Sequence, residues 1–310
     1  MELSFCSDCD DFLSIFKEIS KVNLDDHGEK WLKIFMLQIN SKDFDYENLK
    51  KKLEDPLLGY TLSRHTIKTH SGGSMSISKK ARDKIRDYQT NTGELGEYLL
   101  YCFLETDLKA PKILSKIELK TAPNNYVNGS DGVHFQKIQD NYILLFGESK
   151  TIKNIKTGIT KALSSIYDFK NGIKRDDSGK EIDRNSAKFG MGYEITLISD
   201  NLLKETFNKE DEEFLKAILY PTKNSSFRVD NGFAVFIGFE INLKKLQTLS
   251  NEDFYKELED LLKEKINENI DDIKKLINEK DLLGHNIYFY FFPFSNLDQN
   301  RKDIIKHIIT

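Results

Sequence analysis

The chain has 310 residues, 39% of them apolar and 31% charged, with 46 Lys and Arg against 50 Asp and Glu. That length can bury a large core, that composition argues against a disordered chain, and no apolar run nears the roughly 20 residues of a membrane span. The N-terminal Met1-Glu2-Leu3-Ser4 is acidic, unlike the positively charged start of a secretory signal, which predicts a cytoplasmic protein with no membrane partner. Three cysteines imply no disulfide framework. Cys6 and Cys9 have the spacing of a zinc or redox pair, but no second Cys/His pair follows, so they read as ordinary thiols.

The first 60 residues read as helices and connections, with Trp31, Ile34, Phe35 and Leu37 marking one core element. Asp55-Pro56 closes a charged helical stretch, because proline lacks a donor and disfavours helix in the residue before it. From Arg64 to Arg86 there are seven basic residues and one acid, Asp83. Such a local excess can neutralise phosphates, although a solvated charged face is the simpler reading. His70-Ser71-Gly72-Gly73-Ser74 is a polar loop without the full phosphate-loop pattern. Residues 1–88 are assigned to a helical, basic N-terminal region and 89–310 to a core, or the two together to one continuous domain.

A helix opens at Thr92 to Glu97 and runs to about Leu104, its apolar face built from Leu95, Leu99, Leu100 and Phe103. Glu94 and Glu97 share roughly one side of its start. Residues 116–120 read as a short strand, and Gly129-Ser130-Asp131-Gly132 as a turn leading into Val133-His134-Phe135. The run Tyr142 to Phe146 suits a strand buried on both faces, and it ends in Gly147-Glu148-Ser149-Lys150. Beyond it the spacing predicts helices over about 153–169, 209–219, 252–280 and 301–309, and strands over 193–198, 232–241 and 286–293. Strands alternating with helices predict an α/β fold, a mixed sheet flanked by helices.

Strand residues i and i+2 point to the same side, so Glu148 and Lys150 project together. A hairpin about Asp140-Asn141 would bring Asp131 beside Glu148. Two adjacent carboxylates repel unless a cation joins them, and oxygen ligands suit Mg²⁺, with Mn²⁺ as a substitute. Asp131, Glu148 and Glu97 (or Glu94, which competes for the position) are the expected metal ligands. Lys150 would position or deprotonate a water, or stabilise a developing oxyanion. Lys153 and Lys156 open the next helix, where they could meet a DNA backbone. His134 falls on the opposite strand face from Asp131, and the aromatic run Tyr288 to Phe292 reads as core.

An acid on a helix, Asp after a turn and Glu-x-Lys on the next strand resemble the PD-(D/E)xK nuclease superfamily and its restriction-endonuclease-like core. Gly93 to Leu100, Asn128 to His134, Gly147 to Lys150 and Gly232 to Glu240 resemble the HamA family, nuclease subunits of the Hachiman anti-phage defence system. The resemblance implies a bacterial effector that associates with a HamB-like superfamily 2 helicase and is released to degrade DNA. It also implies that Asp131, Glu148 and Lys150 occupy the family's catalytic positions. No recognition module is visible, so little sequence preference is expected. An RNase using the same residues, because the triad reads neither sugar, and a non-catalytic helicase-binding subunit are the rival readings.

Overall fold

The computed structural model describes residues 11–85, 92–119, 129–176, 178–185, 188–206 and 208–310. Cys6 and Cys9 lie outside them. In chain order the strands are β1 (Phe16–Asn23), β2 (Lys30–Leu37), β3 (Ile39–Asn40), β4 (Asp43–Phe44), β5 (Lys112–Leu114), β6 (Val133–Ile138), β7 (Asn141–Thr151), β8 (Lys174–Arg175), β9 (Glu181–Asp183), β10 (Val229–Glu240) and β11 (Asn286–Phe294). The helices are α1 (Tyr46–Lys52), α2 (Leu57–Thr61), α3 (Arg64–Thr69), α4 (Ser74–Arg82), α5 (Glu94–Thr106), α6 (Lys116–Leu119), α7 (Ile155–Lys170), α8 (Met191–Glu205), α9 (Lys209–Leu219), α10 (Asn251–Glu279) and α11 (Leu297–Ile309).

Seven strands form one mixed sheet in the order β1-β2-β11-β10-β7-β6-β5. The inner four are mutually parallel, and antiparallel pairs flank them on both sides. Phe233 to Ile237 and Ile287 to Phe292 are fully buried, as expected of parallel strands covered on both faces. The aromatic run at Tyr288 to Phe292 is therefore core. α5 packs on one face of β7 and β10, α7 on the other. No helix among the described residues is long and apolar enough to cross a membrane.

Three expectations are corrected. The first 60 residues are not mainly helical: β1 and β2 extend the central sheet, with β2 pairing parallel to β11. Residues 116–119 are the helix α6 rather than a strand. Residues 193–198 lie inside helix α8, whose buried residues Glu194, Ile198, Leu202 and Glu205 recur at helical spacing. Two of those four are carboxylates, which hides the helical apolar period from a hydrophobicity pattern.

Candidate active site

The β6–β7 hairpin runs from the pair Val133–Phe146 to Ile138–Asn141 and turns at Gln139-Asp140, with Gln139 at a φ of 54°. Its open end continues past Val133. The Asp131 N–H donates to the Gly147 carbonyl at 2.8 Å, and the Gly147 N–H to the Gly132 carbonyl at 2.8 Å. This register sets Asp131 opposite Glu148. The Asp131 carboxylate then accepts from the Ser149 N–H at 2.6 Å, which fixes the side chain against β7.

Alternation along β7 sends Phe146, Glu148 and Lys150 to the α7 face. There Phe146 meets Phe169, and Ser165 lines the same cavity as Glu148. The Lys150 ammonium ion-pairs with Glu148. Asp131, Glu148 and Lys150 together line one cavity of about 340 Å³, closed further by Ser165, Asp168, Lys174 and Arg175. Burial pushes the Glu148 carboxyl up to about 7, with the nearby Asp131 charge adding to the rise and Lys150 opposing it. Burial pulls the Lys150 ammonium down, yet the charges of Glu148 and Asp131 hold it above its ordinary value. Lys150 is thus a cation at neutral pH.

The turn that delivers Asp131 is held from below. Gly129 has a φ of 130°, and a Cβ there would strike the Glu194 carboxylate. Ser130 Oγ donates to Glu194 at 2.9 Å, and Lys116 pairs with the same carboxylate at 2.9 Å while also donating to the Ser130 carbonyl. Glu194 and Lys116 are both buried. Sequence reasoning missed Lys116, Glu194, Ser165 and Asp168. The one signal was a pair of glutamates, Glu194 and Glu205, spaced for one helix face.

The remaining expected residues fall elsewhere. Glu94 is buried and accepts from the Tyr60 hydroxyl at 3.1 Å. Glu97 shares with Asp131 a smaller pocket of about 20 Å³ and does not line the larger cavity, although its charge is felt at Lys150. Among the described residues, no group of three or more His, Cys, Asp or Glu side chains is arranged to hold a metal ion. The expected three-carboxylate set is therefore not assembled. A pair is: Asp131 and Glu148 offer only hard oxygen donors, on a cavity with room for water and phosphate oxygens, and their mutual repulsion is of the kind a divalent cation relieves. Those two residues fit Mg²⁺ or Mn²⁺.

Lys153 pairs with Asp298 at 2.9 Å and Lys156 with Asp272 at 2.5 Å. Neither lines the cavity, so the expectation that they meet a DNA backbone gains nothing from their placement. His134 is buried, its Nδ1–H donating to the Ala110 carbonyl at 2.7 Å, and burial pushes its pKa down to about 3. It stays neutral and away from the cavity.

A mixed sheet flanked by helices, with an acid pair and a lysine at the end of its hairpin, defines an α/β protein of nuclease-like fold. The HamA family profile matches residues 10–308. The chain belongs to the HamA family, a component of the Hachiman anti-phage defence system. No curated protein matches it.

Proposed function

We propose that the protein is a metal-dependent DNA endonuclease that cuts with little sequence preference and is restrained by a HamB-like superfamily 2 helicase. The observation that carries this reading is the convergence of Asp131, Glu148 and Lys150 on a single cavity. Asp131 and Glu148 would hold one Mg²⁺, while Glu97, in the smaller pocket beside Asp131, acts on the site through its charge. When bound, the ion supplies Lewis-acid polarisation of a phosphate and an acidified water.

The protein's own groups do the rest. The Ser149 N–H orients Asp131. The ion pair with Lys150 holds Glu148. Lys150 is charged, so it acts as a donor toward the phosphate oxygens where negative charge grows, rather than as a base that takes the water proton. With Glu148 engaged elsewhere, the Lys150 ammonium is released from its ion pair toward the substrate. Water oxygen bonds to phosphorus as the bond from phosphorus to the departing sugar oxygen breaks; the water's proton passes to bulk solvent, which also protonates the departing sugar oxygen.

Supercoiled plasmid incubated with the protein and Mg²⁺ tests this, with the helicase partner present and absent. Nicking that vanishes in EDTA and falls at least about 100-fold in Glu148→Ala and Lys150→Ala is the expected result. Cleavage that survives either substitution undiminished refutes the assignment. A parallel incubation with RNA of the same sequence decides between DNase and RNase.

A further inference from the structure

The cavity holding Asp131, Glu148 and Lys150 has a second wall, which the proposed chemistry does not use. It comes from the β8–β9 hairpin and the end of α7, and it presents Asp168, Lys174 and Arg175 to the same space. Each of the other charges on the lining is already engaged. Lys150 is paired with Glu148, and Asp131 accepts from the Ser149 N–H. Arg175 grips Asp168 through two hydrogen bonds, from Nε at 2.6 Å and Nη2 at 2.8 Å. Among the described residues, Lys174 alone of the lining cations has no carboxylate partner and no side-chain hydrogen bond.

The hairpin is fixed where Lys174 leaves it. On one side Ile173 is buried and its N–H donates to the Asp168 carbonyl at 2.8 Å. On the other, Arg175 is bound to the Asp168 side chain and reaches the Gly179 carbonyl at 3.3 Å. Two successive anchors on one residue of α7 therefore hold the intervening lysine at the cavity. With a divalent cation on the carboxylate pair, an unpaired ammonium lining the same cavity is suited to a neighbouring phosphate, and a hydrated point charge on a flexible stem is a common ligand for phosphate.

We infer that Lys174 binds a backbone phosphate of the nucleic-acid strand lying in this cavity, next to the one under attack, and that the Arg175–Asp168 pair positions it. The inference rests on the nuclease reading, since it assigns the substrate's second contact at the same site.

Anisotropy of a fluorescein-labelled DNA oligonucleotide, titrated with the full chain in Ca²⁺ at several KCl concentrations, tests it. Removing one phosphate contact lowers the slope of log K against log [KCl] by about 0.7 to 0.9, so Lys174→Ala should show that loss and Lys174→Arg should restore the slope. Lys263→Ala, a remote lysine of α10, should leave it unchanged. In cleavage assays Lys174→Ala should raise KM several-fold with kcat nearly constant. A slope in Lys174→Ala equal to that of the unaltered protein, or no DNA binding by the unaltered protein, overturns the assignment. Lys174-dependent binding without any cleavage supports it while removing the nuclease reading.

Discussion

At Glu148 a carboxylate sits on a buried strand, beside Val235 of β10. Its carboxyl is pushed up to about 7, chiefly by burial, so in the metal-free protein the folded state favours the protonated form. A raised pKa means the folded state binds the proton more tightly than the unfolded chain does, so the stabilisation is present below about pH 4 and is lost as pH rises through about 7. The loss is on the order of 3 kcal/mol. Urea denaturation of the metal-free protein between pH 5 and 8 should show this decline, and Glu148→Gln should flatten it. Under the proposed metal centre Mg²⁺ would displace the same proton, so its affinity by calorimetry should rise over that pH interval with proton release. Affinity independent of pH would place the ion elsewhere.

The turn at residues 129–132 is an element whose shape depends on a buried ion pair. Glu194→Ala would leave Lys116 charged and buried without its carboxylate, a loss of about 3 to 5 kcal/mol in denaturant titrations. Gly129→Ala adds a Cβ against Glu194 at a φ of 130° and should cost about 2 kcal/mol or more. A change below about 0.5 kcal/mol in both would show that the turn stands without this support. The same cluster explains an illegible stretch of sequence. In α8 the buried positions are filled by Glu194 and Glu205 as well as Ile198 and Leu202, with Glu205 meeting Arg64 at 3.0 Å. The stretch Glu194-Ile195-Thr196-Leu197-Ile198 is rich in β-branched residues and mimics a strand, while the partners that make its glutamates acceptable lie far away in sequence. The hairpin was legible for the opposite reason. Its turn, its apolar run and its Glu-x-Lys end are all local, although the turn falls at Gln139-Asp140, one residue before the expected Asp140-Asn141, and that placement is what sets Asp131 opposite Glu148.

Across the whole molecule, the alternating α/β pattern from residue 94 onward reported the sheet and its flanking helices. The N-terminal strands were hidden. β1 is an edge strand with Lys17, Glu18 and Lys21 facing solvent, and Trp31 to Leu37 is a short apolar run that helix and strand accommodate equally. Only the pairing of β2 with β11, more than 250 residues along the chain, resolves it. Because β2 is interior to the sheet, Leu32→Ala, at a fully buried position, should cost about 2 to 5 kcal/mol. Lys21→Ala on the edge should cost less than about 0.5 kcal/mol, and equal losses would contradict this sheet order.

Crystals soaked in Mn²⁺ and measured at the manganese edge examine the acid pair itself. One anomalous peak about 2.1 Å from carboxylate oxygens of both Asp131 and Glu148 is the predicted result. A saturated soak with no peak there, or a peak held by other side chains, would contradict the metal centre on which the proposed chemistry depends.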